Sequence, residues 1–569
     1  MLTWRHPRLE RLGFALGLSL VLGCASSSGM KTGGDVEVPG SRLPKREALA
    51  KITSVAPQAA ATAKAGHRVP SWTLEAPLAT KAGLGPPRGQ NTGELLLAQL
   101  AESSGGAIVY DEALACVSHQ LGRFVSKEGK VPIQPLLSFM RHRCGSTMIR
   151  LGYSFKSYPN PPTLTEAQEI VERFGNAGTM GMWSLDLGNQ HLLVAVKGTS
   201  ETRIQPLDMA VGANQVLIEG QTGSREWLIA YANHGDLGVE VCDYVGGAGQ
   251  SFRLVCPLAA SDAGTYVDIL VAPPGRLFGA HAARLWLSPN GEMGVDYLSP
   301  VDEGGAVPMT NELGPAFVQM VNELRGRKGL SQLREVPAQS SAVAGLLPYY
   351  EAARALGNQG MLDEIVLGLM AGWELEEPVL DGNFSSLTLE AVETRAQLLE
   401  LVLYQPYVRA NVLQPDVDRI ALAIGTPSEA NQLRSALFTT YRLAKADPAT
   451  ETQAFVERVN YLRRVRGRTS AGALASGSDT LAQAGAAVAR GKATPTEAIN
   501  AALEHIASQN PGKKIQGLTT FVQDLSKLEM PKELLAEGQL ELAVHVELVQ
   551  SEDSPWASML VLVAYVDGS

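Results

Sequence analysis

The sequence predicts a multidomain α+β protein, with a small helical domain, a β-sandwich and then one or two mixed α/β units. Three observations support this prediction. Residues 91–175 carry apolar residues at helical spacing, residues 176–302 break into short β-favouring runs, and a segment that begins at Ala316 is repeated from Ala454. With 569 residues, of which 45% are hydrophobic, the chain is long enough for about three to five domains.

Residues 1–23 have the pattern of a bacterial lipoprotein signal peptide. Three arginines precede an apolar run from Leu12 to Leu22, which is too short to span a bilayer but has the length of a signal-peptide core. The run ends in Gly23-Cys24, similar to a lipobox, in which the cysteine is acylated and becomes the new N-terminus. We therefore predict lipidation of Cys24. The alternative is an ordinary secretory signal followed by a chance cysteine.

The residues after Cys24 predict where the protein is held. Ala25, rather than an aspartate, follows the cysteine, which resembles the sorting pattern of outer-membrane lipoproteins. Several acyl chains anchor a protein stably, so we expect an outer-membrane lipoprotein that faces the periplasm or the cell surface. Residues 24–90 are rich in Ala, Ser, Gly, Pro and Thr without sustained apolar periodicity, and this composition predicts a flexible tether.

The helical and β-rich regions contain the remaining cysteines. An even number of cysteines in an exported chain favours disulfides. Of the three possible pairings, the sequence favours the local one, Cys116 with Cys144 and Cys242 with Cys256, because the stretch between Cys242 and Cys256 is predicted to form a hairpin. Buried free thiols are the alternative. The four residues are Cys116, Cys144, Cys242 and Cys256.

Two histidines of the helical domain raise the question of a metal or catalytic site. His119 and His142 have no carboxylate at ligand-like spacing, so we interpret them as structural. In the β-rich region, Tyr266, Asp268 and Leu270 alternate with apolar residues in "TYVDILV", as expected for a strand of a sandwich.

The repeated segments "AFVQMVNELRGRKG" and "AFVERVNYLRRVRG" predict two helices with the same apolar face. Gly329 and Gly467 fall where these helices would end. The strand patterns at 420–424 and 542–546 also correspond, so we predict two tandem units, 311–448 and 449–569, each running from helices into strand.

The first unit resembles the CAP superfamily, which includes cysteine-rich secretory, antigen 5 and pathogenesis-related 1 proteins. Two motifs carry the resemblance: the opening-helix pattern Asn-x-x-Arg-x-x-x-Gly-Leu, and a later Pro-x-x-Arg-x-Asn. The residues at these positions are Asn322, Arg325, Gly329, Pro406, Arg409 and Asn411. The resemblance implies an α/β/α sandwich for residues 311–448 and a degenerate one for 449–569.

The same resemblance implies a cleft with two histidines and two acidic residues that hold a divalent cation, but this chain departs from that pattern. Val408 stands where the family has a histidine, and a valine side chain has no lone pair to donate. Glu374 and Glu376 are candidates for acidic residues of that cleft. In the second unit, Glu541, His545 and Glu547 share a strand face that we interpret as solvated. We therefore predict no metal and no cofactor.

The composition and the absence of known catalytic motifs argue against nucleic-acid binding and against several classes of enzyme. The net charge of −10 argues against nucleic-acid binding, and the basic run "RRVRGR" at 463–468 is interpreted as a solvated face. There is no Gly-x-Ser-x-Gly, His-Glu-x-x-His or Walker motif. We therefore predict non-catalytic binding or adhesion, with an envelope protein, a polysaccharide or a lipid as partner. The alternatives are an envelope hydrolase with an unconventional site and a competition or toxin lipoprotein with a C-terminal effector.

Overall fold

The structure is a computed structural model. It describes residues 52, 66–76, 78, 91–200, 202–205, 207, 213–223, 225, 227–234, 239–247, 249–258, 264–272, 280–287, 294–300, 313–375, 377–425, 433–443, 447–522, 525, 528–549 and 556–568. The predicted signal peptide and the lipidation site at Cys24 lie outside these residues. No helix among the residues described is both long enough and apolar enough to cross a membrane.

The helices are α1 (Thr92–Ser103), α2 (Glu112–Glu128), α3 (Gln134–Arg143), α4 (Leu164–Glu172), α5 (Leu313–Arg327), α6 (Pro337–Leu356), α7 (Gln359–Ala371), α8 (Arg395–Tyr404), α9 (Pro406–Leu413), α10 (Pro448–Val465), α11 (Gly477–Ala489) and α12 (Pro495–Gln509). The strands before residue 300 are β1 (Ser71–Thr73), β2 (Ile108–Tyr110), β3 (Arg150–Tyr158), β4 (Gly178–Asp186), β5 (His191–Thr199), β6 (Arg203–Ile204), β7 (Gln215–Gln221), β8 (Trp227–Asn233), β9 (Val239–Val241), β10 (Asp243–Gly246), β11 (Ser251–Pro257), β12 (Thr265–Ala272), β13 (Ala280–Leu287) and β14 (Asp296–Leu298). The later strands are β15 (Arg334–Glu335), β16 (Val379–Glu390), β17 (Arg419–Ile424), β18 (Leu433–Leu443), β19 (Gly472–Ala473), β20 (Ile515–Val522), β21 (Gln539–Val549) and β22 (Ser558–Gly568).

Three parts of the chain have the same topology: residues 91–199, 313–443 and 448–568, here called the N-terminal, central and C-terminal modules. Their sheets have the orders β2-β4-β5-β3, β15-β17-β18-β16 and β19-β21-β22-β20. In each module the short first strand is parallel to the third strand, and the long strands are antiparallel. The sequence predicted the last two units, and the structure shows that they share one topology.

Helices cover both faces of each sheet because the central strands are apolar on both sides. In the central module, Ile420 and Leu422 pack towards α5, α8 and α9, whereas Ala421 and Ala423 pack towards α6 and α7. The C-terminal module has the same layering, with α10 on one face and α11 and α12 on the other. Both modules are therefore α/β/α sandwiches, and the predicted fold class, a multidomain α+β protein, is confirmed.

The N-terminal module differs from the predicted small helical domain. The boundary predicted at residues 175–176 divides its sheet, because β4 and β5 pair with β2 and β3 and not with the β-sandwich. Leu192 and Val194 face α2 and α3, whereas Leu193 and Ala195 face α1 and α4. The continuous apolar run of β5 therefore belongs to a strand that helices cover on both faces.

The β-sandwich begins after this module. Its two antiparallel sheets have the orders β10-β11-β7-β6 and β13-β12-β8-β9, and they enclose one apolar core. Val267 and Ile269 of β12 point into that core, as the alternation in the sequence predicted. Cys116 is bonded to Cys144 and Cys242 to Cys256, which is the local pairing that the sequence favoured.

Part of the predicted flexible tether is packed. Residues 66–75 run along the N-terminal module, where β1 pairs with β14 and Trp72, only 6% exposed, lies edge-on to Phe124. At the start of this segment, Glu390 of the central module accepts hydrogen bonds from the backbone N–H groups of Gly66 and Gln134. The segment is thus held against two modules, and the prediction of a tether up to residue 90 is corrected for residues 66–75.

Candidate functional site

The arginine of the first repeated helix is a buried structural clamp. Arg325 is fully buried, and its guanidinium donates to four backbone carbonyl oxygens. Nε reaches Ser331 O at 2.6 Å, Nη1 reaches Val412 O at 2.8 Å and Gln414 O at 2.9 Å, and Nη2 reaches Val417 O at 3.1 Å. These bonds hold the end of α5 to the loop between α9 and β17.

The second repeated helix uses its arginine in the same way. Arg463, 1% exposed, donates from Nε to Thr469 O at 2.7 Å and from Nη1 and Nη2 to the carbonyls of Leu534, Ala536 and Gly538 at 2.9–3.1 Å. The two arginines therefore make equivalent contacts, and the repeat in the sequence is a repeat of this clamp.

The asparagine of each motif supports the same turn. Leu333 N donates to Oδ1 of Asn322 at 2.7 Å, and Ala471 N donates to Oδ1 of Asn460 at 2.8 Å. Gly329 has φ +69°, a left-handed conformation that favours glycine at a helix end. The opening-helix motif thus fixes local structure rather than lining an open site.

The second motif lies on helix α9, which packs between the central module and the β-sandwich. Arg409 is fully buried, and its Nη1 donates to Oδ1 of Asn233 on β8 at 2.6 Å. Asn411 donates to Oγ of Ser385 at 2.8 Å. Val408, at the position of the expected histidine, is fully buried in the apolar core. The helix that begins at Pro406 therefore contacts the β-sandwich through Tyr407 and Arg409.

The strongest polar feature at that contact is a buried ion pair on the outward face of β12 and β13. Asp268, fully buried, accepts from Nε and Nη2 of Arg284, both at 2.7 Å, and Nδ1 of His281 lies 3.4 Å from its Oδ2. Burial alone would raise the pKa of Asp268, but Arg284 and His281 hold it well below its usual range. The carboxylate is therefore charged and fully engaged.

Both neighbouring modules cover this ion pair. The ring of Tyr407 on α9 lies 4.6 Å from that of His281, and Thr147 of the N-terminal module accepts a backbone hydrogen bond from Arg284 at 3.1 Å. His142 at the end of α3 packs edge-on against Tyr266. We call Asp268, His281 and Arg284, with these covering residues, the interdomain junction. The sequence placed Asp268 on an alternating strand of the sandwich but did not identify the junction.

The histidines of the N-terminal module have structural surroundings. His142 is buried, and burial lowers its pKa well below the usual value, with Arg141 and Arg284 adding to the effect. Burial lowers the pKa of His119 to about 4, and its ring stacks on Trp183. Both side chains are thus neutral at pH 7 and packed against aromatic rings.

The cleft candidates of the central module do not converge. Glu374 is exposed in the turn after α7, where its backbone N–H donates to Gln339, and Glu376 lies outside the described residues. Among the residues that the structure describes, no group of three or more His, Cys, Asp or Glu side chains is placed to hold a metal ion.

A histidine–glutamate pair in the C-terminal module is mostly buried, although the sequence predicted a solvated face. Nε2 of His545 lies 3.0 Å from Oε2 of Glu547, and both side chains are mostly buried, at 17% and 21% exposed. They lie beneath α11, where Gly485 leaves room: a Cβ there would meet the His545 ring at 2.7 Å. Glu541 is at the surface, paired with Lys513. The predicted solvated face is therefore corrected for His545 and Glu547.

These positions predict that the protein does not bind zinc tightly. In a calorimetric titration of the purified chain with zinc, we expect no stoichiometric tight binding and the same trace for Glu374→Gln, because no described group of His, Cys, Asp or Glu side chains supplies three ligands to a metal ion. One-to-one binding that Glu374→Gln abolishes would contradict this expectation.

Comparison with known proteins does not identify a family for this chain. No protein-family model matches the chain, and no curated protein matches it. Among solved structures, the chain is similar to a cysteine-rich secretory protein from Staphylococcus aureus, at 12% identity with a TM-score of 0.16, covering 42% of this chain and 83% of that one. That protein is of the CAP type, but the likeness is weak. The fold and the site define a class only: a multidomain α+β protein whose α/β/α modules pack around a β-sandwich.

Proposed function

We propose that this protein is a lipid-anchored component of the bacterial outer membrane that binds an envelope partner without catalysis. One observation carries the proposal: the residues that resemble a CAP motif are used for structure. Arg325 and Arg463 bind backbone carbonyls, and Arg409 is buried against Asn233 in an interdomain contact. Degenerate CAP-like modules of this kind provide surfaces for recognition rather than a cation-binding cleft.

The charge state of the junction supports the same proposal. A general acid or base needs a group that can exchange a proton near neutral pH and reach a substrate. Asp268 is bound to Arg284 and covered by two modules, and His142 is buried beside Tyr266. These groups hold domains together, so the proposed ligand binds elsewhere on the exposed surface: an envelope protein, a polysaccharide or a lipid.

Replacing Cys24 with alanine will test the location and the binding together. In cell fractionation, we expect the unaltered protein in the outer-membrane fraction and most of the Cys24→Ala protein in the soluble periplasmic fraction, because it lacks the acyl anchor. The released protein should then rebind saturably to isolated envelopes.

Two outcomes would contradict the proposal. If Cys24→Ala protein stays in the membrane fraction through detergent-free washing with salt, the anchor is not Cys24. If the released protein shows no saturable binding to envelopes, the module surfaces are not recognition surfaces. An Ala25→Ser variant, which leaves the cysteine in place, is the matched control and should fractionate like the unaltered protein.

A further inference from the structure

The two repeated helices differ at their exposed positions, and the difference forms a surface patch on α10. The buried phenylalanine, valine and arginine of the motif match in the two copies. On the outer side, Glu323 of α5 corresponds to Tyr461 of α10, Gly326 to Arg464, and Arg327 to Val465. In α5, Glu323 is neutralised by Arg395 at 2.6 Å. In α10, the equivalent position carries an aromatic ring.

The patch combines apolar and positively charged side chains. Tyr461 is 60% exposed and Val465 is 66% exposed, one helical turn apart on the same side of α10. Arg464 and Arg466 are exposed beside them, and neither forms an ion pair with any residue that the structure describes. Arg468, the next basic residue, lies 3.8 Å from Glu537 and is partly neutralised.

We infer that the patch formed by Tyr461, Arg464, Val465 and Arg466 docks on an anionic phospholipid surface. Arginine side chains near an anionic membrane are attracted by its negative surface potential. Tyrosine suits the membrane interface, where its ring is apolar and its hydroxyl stays hydrated. A chain whose overall charge is −10 is repelled by such a surface, so a local basic and apolar patch determines which face approaches it.

The inference deepens the proposed function, since a lipid anchor with a second, weak membrane contact holds a module close to the membrane. The acyl anchor holds the chain at the membrane, and the patch, which binds weakly by itself, determines which surface of the C-terminal module lies against the membrane. The docked patch would hold the end of α10 against the membrane.

The experiment uses the mature chain, residues 24–569, carrying Cys24→Ala, so that neither acylation nor the apolar run of the signal peptide masks the patch. In a sedimentation assay, we expect it to bind vesicles that contain phosphatidylglycerol and not vesicles of phosphatidylcholine alone. Binding should weaken as salt is added, because exposed charges are screened. Inorganic phosphate at constant ionic strength should not compete, which separates a membrane surface from a free-phosphate site.

The central module supplies the matched replacements. Grafting its residues onto α10, as Tyr461→Glu, Arg464→Gly and Val465→Arg together, should reduce partitioning at least about tenfold. The graft leaves the number of arginines unchanged, but it adds one negative charge, which is expected to cost about fivefold, and it removes both apolar side chains from the patch. Arg327→Ala in α5 should leave partitioning unchanged. If the triple variant fails to fold, as judged by its circular dichroism melting curve, Tyr461→Glu alone is used, and it too should reduce partitioning.

Three outcomes would overturn the inference: no binding to phosphatidylglycerol vesicles, equal binding to both kinds of vesicle, or unchanged binding by the folded graft variant. None of these bears on Cys24, because the assay contains no acylated protein. Failure of the anchor would instead appear in the cell fractionation, so the two proposals fail separately.

Discussion

Replacing Arg325 with alanine will destabilise the central module by at least about 3 kcal/mol, and Arg463→Ala will do the same to the C-terminal module. Each substitution removes a buried charged group and leaves carbonyl oxygens without their donors. For Arg325 these carbonyls belong to Ser331, Val412, Gln414 and Val417. Buried acceptors without partners cost more than the net value of the bonds themselves.

Hydrogen exchange followed by mass spectrometry will localise the effect. In Arg325→Ala, amides around residues 330–333 and 412–420 should exchange faster, whereas those around 469–474 and 534–540 should not change. Arg463→Ala should give the reverse pattern. Lysine substitutions should recover little, because an ammonium group cannot reach four carbonyls in the geometry of a guanidinium.

Exposed arginines on the same helices provide the controls. Arg327→Ala and Arg464→Ala should change stability by less than about 0.5 kcal/mol, because both side chains are exposed. Equal destabilisation by the buried and exposed substitutions would show that the guanidinium contacts contribute nothing specific. An effect of Arg325→Ala that spread evenly over all three modules would contradict the local clamp.

The sequence contained enough information to find the repeat but not the third module. The central and C-terminal modules share "AFV", the asparagine, the arginine and the glycine. The asparagine and the arginine make the same hydrogen bonds in both modules, and the glycine follows the helix in both. The N-terminal module has the same topology without the clamp: α1 carries "LLLAQLAES" at the corresponding place. Topology depends on the layering of apolar faces, which many sequences satisfy, so no motif marks the third copy.

One local signal for the N-terminal sheet was present in the sequence. A sandwich strand with one outward face alternates, as β12 does at Val267, Asp268 and Ile269. In β5 the run "LLVAV" does not alternate, and continuous apolar runs are typical of strands covered by helices on both faces. The packed segment at Trp72 gave a weaker signal, because two or three apolar residues in a polar stretch do not define a period.

The candidate site was harder to predict than the fold. Asp268 and Arg284 lie 16 positions apart on neighbouring strands, and their pairing depends on the register of β12 with β13. Arg409 and Asn233 lie 176 positions apart and meet only because α9 packs on the β-sandwich. One clue was local: Tyr266 and Leu270 share the outward face with Asp268, and apolar residues on an outward face indicate that something covers it.

Asp268→Ala will loosen the interdomain junction and destabilise the protein by about 3–5 kcal/mol, because it leaves Arg284 buried without its counter-ion. Replacing both partners, with Asp268→Leu and Arg284→Met, should recover most of the loss, since an apolar pair needs no compensating charge. Limited proteolysis should cut Asp268→Ala faster than the unaltered chain. The exposed pair Glu219–Arg253, at 2.8 Å on the same β-sandwich, is the control, and Glu219→Gln should cost less than about 1 kcal/mol.

The contribution of Asp268 to stability should depend on pH, and the direction of this dependence follows from its pKa. Arg284 and His281 hold the pKa of Asp268 below its usual value despite burial. A carboxyl group whose pKa is lower in the folded state stabilises the fold above its unfolded pKa, about 4, and this contribution is lost as the pH falls from there towards the folded pKa. The difference in melting temperature between the unaltered chain and Asp268→Asn should therefore be largest near neutral pH and shrink below about pH 4. If this difference in melting temperature stayed constant down to about pH 2, the charge of Asp268 would not stabilise the junction. Its side chain would then contribute only through packing.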